Sequence, residues 1–245
     1  MQKSNRSVEQ APSFECIKHG AQFLASLQGE DGSWRADYGG PMFLLPMYIA
    51  ACSIAGRKIP DARCEGMKRY FAHVQNSDGS VGLHVQAPGC MFTTALSYVA
   101  LRLVGVFPED ETATKMRRWI HANGTPLGAA SWGKFVLSLL NLYEYSGLNP
   151  ILPELWLMPR SAPMHPSRLW CHCRQVYLPM AYLYGIKAKK SEDDLIIALR
   201  SELYNEDYEK ILFEKKRDFV SPFDNHVPIT KEMQVLNRAL VGYER

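Results

Sequence analysis

The sequence carries little net charge. Lys and Arg total 28 against 25 Asp and Glu, a formal charge of +3 over 245 residues. That balance leaves no electrostatic footprint for a polyanion, so no nucleic-acid partner is expected. An unbroken apolar run is missing as well. A long uncharged stretch, residues 38–56, is interrupted by Gly39, Gly40, Pro41 and Pro46. It reads as a buried or interfacial helix rather than a membrane span. Cysteine is sparse. The six residues Cys16, Cys52, Cys64, Cys90, Cys171 and Cys173 form no disulfide-like lattice, and residues 1–13 lack the apolar core of a secretory signal. Reduced thiols are expected, behind a disordered or extended N-terminal segment over residues 1–13. Strand-like alternation is absent throughout, which points to an all-α protein.

What is present is ordinary globular material. Apolar residues make up 47% and charged residues 22%, with 10 Phe, 12 Tyr and 5 Trp. A chain of this length buries a sizeable core without disulfides or metal. Intrinsic disorder, a collagen-like fibre and a disulfide mini-protein are excluded.

The chain repeats itself. Gln28-Gly29-Glu30-Asp31-Gly32-Ser33 is echoed 47 positions later by Gln75-Asn76-Ser77-Asp78-Gly79-Ser80. A fixed period of this size marks repetition of one supersecondary unit. The unit is helical. Met67, Tyr70, Phe71 and Val74 form one α-helical stripe, and Ile17, Ala21 and Leu24 form its counterpart in the first copy. Asp-Gly then breaks each helix. A second helix follows, over residues 42–55 in the first copy and 91–104 in the second. In the latter, Phe92, Ala95, Leu96, Val99 and Leu103 share a face. A degenerate third unit runs from Thr112 past Trp119 to a helix over 132–145.

Further on, residues 166–184 read as a helix bent at Pro179. Ser191-Glu192-Asp193-Asp194 reads as a capped helix start. Thr230 caps a last helix with Met233, Leu236 and Leu240 inward. Paired helices at this period fit an α/α barrel or a helical solenoid, and no linker splits residues 14–245.

Gln28-x-x-x-Gly32-x-Trp34 has a structural reading. A glutamine past a helix end bonds exposed backbone groups, Gly32 permits the turn, and the indole stacks over it. Gln75 and Gly79 repeat the device, with Val81 where Trp is due. Together with His19-Gly20-Ala21-Gln22-Phe23-Leu24 this resembles the QW repeat of triterpene cyclases. Asp37-Tyr38-Gly39-Gly40-Pro41, Ser131-Trp132-Gly133-Lys134 and Leu169-Trp170-Cys171-His172-Cys173-Arg174-Gln175-Val176-Tyr177-Leu178-Pro179 resemble the sterol-forming oxidosqualene cyclases. The likeness covers about residues 14–215, and the tail beyond it matches poorly.

The resemblance implies two α/α barrels with an apolar cavity between them, converting 2,3-oxidosqualene to lanosterol, cycloartenol or related polycycles. It places Tyr38, Trp132, Trp170 and His172 on the cavity wall, and Cys173 and Tyr177 at the constriction between channel and cavity. For His172 the plainer reading is a core histidine bonded to a backbone carbonyl. Helix packing one turn apart is the plainer reading for Cys173 and Tyr177. The Cys-His-Cys version of the motif favours sterol skeletons. No cofactor is implied, because the family reaction is an isomerisation. No metal is expected either: Cys171, His172 and Cys173 diverge around a helix, with no second pair at zinc spacing.

The family's acid lies in an Asp-Cys-Thr-Ala-Glu motif, and this sequence has none. The chain therefore corresponds to the N-terminal barrel, a fragment, isoform or half of a split enzyme, with a C-terminal cyclase barrel as its partner and no catalytic residue of its own. The resemblance also implies monotopic attachment to one membrane leaflet, at the endoplasmic reticulum or a lipid droplet in a eukaryote. A different class remains open: a non-catalytic lipid-binding or regulatory barrel derived from a cyclase. Zinc prenyltransferase subunits share the architecture, but their spaced Asp, Cys and His ligands are not in this sequence.

Overall fold

The computed structural model describes residues 12–34, 40–162, 165–227 and 229–244. Residues 35–39, and with them Tyr38, lie outside that set, as do residues 1–11. Nine α-helices occur among the described residues: α1 (Pro12–Ser26), α2 (Leu44–Ile54), α3 (Asp61–Val74), α4 (Met91–Leu103), α5 (Glu111–Ala122), α6 (Ser131–Leu139), α7 (Cys171–Gly185), α8 (Asp194–Leu203) and α9 (Lys231–Glu244). The described residues contain no strand; Gln28 with Trp34 and Gly82 with Gly89 form isolated bridges. The all-α expectation is met. No described helix is long and apolar enough to cross a membrane. The chain divides into two compact units, residues 1–39 and 40–245.

The first unit holds α1 and the glutamine turn. Its stripe is not a core: Ile17 is 68% and Leu24 56% exposed. Trp34 donates its indole N–H to the Leu24 carbonyl at 2.6 Å. That bond satisfies one of the carbonyls a helix end leaves open. The indole itself stays exposed, so Trp34 closes the turn without being buried.

The second unit is built around α4. Its sequence, MFTTALSYVALRL, carries no charge before Arg102, and every residue from Met91 to Leu101 is buried. The sequence predicts one apolar face. The structure covers all faces, because small residues and hydroxyls on the far side let neighbours approach. Thr93 and Thr94 return their hydroxyls to the Val81 carbonyl at 2.5 and 3.1 Å, so their burial leaves no unmade hydrogen bond. Helices α2, α3, α5, α6 and α8 pack around α4. Each large side chain removed from water there contributes about 1.5–3 kcal/mol. Val81, where the repeat calls for Trp, is fully buried in this core.

The repeat is reproduced atom by atom. Gln28 Nε2 donates to the Gly32 carbonyl at 2.7 Å, and Gln75 Nε2 to that of Gly79 at 2.9 Å. Gly32 and Gly79 sit at φ 78° and 92°, a region costly for any residue with a Cβ. In the second copy Gln75 also reaches the Thr112 carbonyl at 3.0 Å, tying α3 to α5.

Elsewhere the boundaries shift. Asp193 caps α8 through the Ile196 amide at 2.9 Å. Residues 166–168 form a separate 3-10 turn, and α7 starts only at Cys171 and carries Pro179 inside it. Met233 on α9 does not point inward; it is 48% exposed and α9 buries no residue. Thr230 does cap that helix, accepting from the Met233 amide at 3.3 Å. Helices α4 and α8 are clamped by Arg102 and Glu202 at 2.9 and 3.0 Å, with the Tyr98 hydroxyl on the same carboxylate at 2.8 Å.

Candidate functional site

Two elements far apart in sequence meet around one cavity. Helix α6 is short and apolar apart from Lys134. Its start is pinned by Asp224, whose Oδ2 accepts from the Ala130 amide at 3.1 Å and the Phe92 amide at 2.9 Å, while Oδ1 accepts from Met91 at 2.6 Å. One carboxylate thus caps α4 and holds the residue before α6. Gly133 lets the two helices close: a Cβ there would stand 2.8 Å from the Phe92 ring. Ser131, Trp132 and Lys134 are thereby set on the cavity edge.

Helix α7 supplies the opposite wall. His172, Cys173, Val176, Tyr177 and Met180 fall on one face by helical spacing. The cavity is about 520 Å³ and is completed by Leu169, Arg217 and the turn Gly147–Ile151. No Asp or Glu lines it among the described residues.

The structure therefore brings together Trp132, His172, Cys173 and Tyr177. Trp132 is 43% exposed on the rim. His172 is exposed, which removes the core-histidine reading; its Nδ1 lies 3.0 Å from Cys171 Sγ. Trp170 is not in the lining. It stacks on the His172 imidazole, with centroids 4.4 Å apart and planes at 22°, and fixes that ring from behind. Tyr177 donates its hydroxyl to the Leu152 carbonyl at 2.9 Å. Burial pushes the Tyr177 hydroxyl pKa up, and the nearby Glu154 charge adds to the rise. Gln28, Gly32, Trp34, Gln75 and Gly79 lie in the two turns and not at the cavity.

Lys134 is the lining residue whose role the sequence does not announce. Its side chain is buried, and its ammonium donates to the carbonyls of Lys216, Arg217 and Phe219 at 2.7, 3.2 and 2.7 Å. Burial lowers its pKa to about 8, against the pull of Asp218 and Asp224. Three carbonyls use all three N–H bonds, so the charge is matched by fixed dipoles. The available signal was a single charge in the apolar stretch Ser131–Leu139. Nothing in the sequence showed that residues 216–219 supply its acceptors.

A family described as the squalene-hopene cyclase N-terminal domain matches residues 17–245, including the tail that the sequence motifs leave uncovered. The chain is 46% identical over 227 residues to lanosterol synthase of Mus musculus, covering 93% of this chain and 31% of that protein. It is 44% identical over 231 residues to lanosterol synthase of Homo sapiens, covering 94% and 32%. Cycloartenol synthase of Dictyostelium discoideum is 43% identical over 232 residues, with 94% and 33% covered. The chain spans about a third of the length of these relatives.

Proposed function

The chain belongs to the squalene-hopene cyclase N-terminal domain family, and on that premise we propose that residues 14–245 form the N-terminal α/α barrel of a sterol-forming oxidosqualene cyclase. Its substrate is 2,3-oxidosqualene and its product a sterol precursor of the lanosterol or cycloartenol kind. A C-terminal barrel supplies the acid that protonates the epoxide. This chain supplies wall. The reaction is an isomerisation, so neither metal nor redox cofactor takes part.

The cavity carries this reading. It gathers Trp132, His172, Cys173 and Tyr177 in a lining that has no carboxylate among the described residues. A carbocation survives only where water and nucleophilic anions are kept away, and an aromatic face stabilises it most in such a dry site. Trp132 and the Trp170-backed imidazole of His172 offer such faces. His172 also serves as hydrogen-bond partner or base near the final deprotonation. Cys173 and Tyr177, one turn apart on the α7 wall, form the constriction toward the substrate channel, and Tyr38 shapes ring folding. The exposed apolar residues of α7, Leu178 and Tyr182 among them, support attachment to one membrane leaflet.

The carboxylate-free lining also fits a second reading, a lipid-binding or regulatory barrel without catalysis. The two separate in a chimera. Residues 14–245 replace the corresponding third of a lanosterol synthase, and the product from 2,3-oxidosqualene is read by mass spectrometry. Cyclised product from the chimera, and none from the chain alone, supports the cyclase reading. A folded chimera that makes no product while its parent does leaves the binding module.

A further inference from the structure

A second pocket, of about 430 Å³, shares no lining residue with the first and is lined by Trp156, Arg160, His165, Ser167 and Arg174. Among the described residues every lining side chain carries a hydrogen-bond donor and none is acidic. Trp156 comes from the 3-10 turn Pro153–Leu157, His165 from the cap of the turn Pro166–Arg168, and Arg174 from α7. Three elements therefore converge on it.

The charges in this pocket are unmatched. Arg160 and Arg174 form no ion pair among the described residues, and the one hydrogen bond of the Arg174 guanidinium there is to the Ser167 carbonyl at 3.4 Å. Glu154, on the same turn as Trp156, acts on Tyr177 and does not line the pocket. Nearby Arg168 uses its guanidinium on the carbonyls of Ala162 and Ser161 at 3.2 and 3.3 Å. An independent observation points the same way. The Trp156 indole nitrogen is buried and has no acceptor among the described residues. A buried donor left without a partner costs about 1–3 kcal/mol, so an acceptor arriving there is favoured. His165 is 6% exposed, and its Nδ1 accepts the Ser167 amide at 3.0 Å. That leaves the ring proton on Nε2, a further donor.

Two guanidiniums, an indole N–H and an imidazole N–H suit an acceptor-only, doubly charged oxyanion. We propose that this pocket binds a phosphate group, as free phosphate or as a phosphomonoester lipid headgroup. The planar guanidinium fork matches phosphate oxygens bidentately, and two arginines balance a dianion. The site stands apart from the Trp132–His172 cavity and does not depend on the cyclase reading.

The test uses the full chain, with the Trp156 indole N–H resonance assigned through Trp156→Phe. Inorganic phosphate is expected to shift that resonance saturably, while chloride at equal ionic strength leaves it in place. Arg160 is exposed, so Arg160→Gln keeps the fold and is expected to weaken phosphate binding about tenfold, with Arg160→Lys between the two. Vesicles of phosphatidylcholine with and without phosphatidic acid separate the sources. Competition by the phosphatidic acid vesicles alone identifies a headgroup; phosphate binding without vesicle competition identifies free phosphate. No saturable shift with either ligand, or equal binding by wild type and Arg160→Gln, overturns the proposal.

Discussion

Trp119 donates its indole N–H to Oδ2 of Asp78 across 3.1 Å, joining α5 to the second glutamine turn. The first copy has its own indole in Trp34. The second has Val81 at that position, buried against α4, and an indole from the next unit closes the turn instead. Phe223 packs on the Trp119 ring at 5.3 Å, so the segment that carries Asp224 converges on the same turn.

Removing that donor should weaken the turn in a pH-dependent way. Burial pushes the Asp78 carboxyl up, but the Ser80 hydroxyl and amide and the Trp119 N–H outweigh it and hold the pKa below the usual 3.8. A depressed carboxylate stabilises the fold above its unfolded pKa and loses that contribution as pH falls through its folded value. Trp119→Phe is expected to lose about 1 kcal/mol of hydrogen bonding at pH 7, since Asp78 is exposed, on top of a pH-independent packing loss at the buried ring. The gap to wild type should narrow below pH ~4 to that packing loss. Denaturant unfolding at both pH values checks it.

The two turn glycines should respond unequally. Gly32→Ala meets only the backbone cost of its positive φ, about 1–2 kcal/mol, because the nearest atom to a new Cβ is Gln28 Nε2 at 3.9 Å. Gly79→Ala drives its Cβ to 2.6 Å from the Lys115 carbonyl. Backbone must move, and the loss should exceed about 3 kcal/mol. Equal melting temperatures for the two variants would count against the α5 contact. Trp34→Ala, with its indole exposed, should cost only about 1 kcal/mol.

Glu202→Ala leaves the Val106 carbonyl as the one hydrogen-bond acceptor of Arg102 among the described residues, in a pair whose side chains are 11% and 10% exposed, and removes the acceptor of the Tyr98 hydroxyl. Breaking one side of such a pair costs about 3–5 kcal/mol. A double-mutant cycle with Arg102→Ala should show strong coupling; additive losses would contradict it.

Lys134 should make stability rise with alkaline pH. Its folded pKa of about 8 lies below the ordinary 10.5. Between those values the unfolded chain holds a proton that the folded chain has released, so stability increases across that window. The gain, on the order of 3 kcal/mol, is measured relative to Lys134→Met, which cancels the tyrosines. A wild-type-to-variant difference that stays flat from pH 7 to 10 refutes it.

In the cyclase chimera, His172→Ala should change the product distribution more than it lowers turnover, because epoxide protonation is left intact. Trp170→Ala should reproduce part of that change and also lower yield, since its ring supports the imidazole at 4.4 Å. An unchanged product profile for both variants would remove His172 from the wall.

The sequence by itself determined the helical class, the 47-residue repeat and the turn chemistry, because each is local. Gln28 and Gln75 bond a carbonyl four residues on, and Gly32 and Gly79 need only their own φ. On the α7 side of the cavity, likeness to the cyclase motif picked out His172, Cys173 and Tyr177, while Val176 and Met180 on the same face came only from the structure. Tertiary structure decided what depends on distant chain. It made α4 a helix buried on every side, and it left Ile17, Leu24 and Met233 exposed despite their helical spacing. It set Trp170 behind His172 instead of in the lining. It found acceptors for Lys134 more than eighty positions away and caps for α4 more than 130 away. Periodicity reports which face of a helix is apolar. Which faces are covered, and which buried charge is matched, is fixed only when remote backbone arrives to exclude water and supply the missing dipoles.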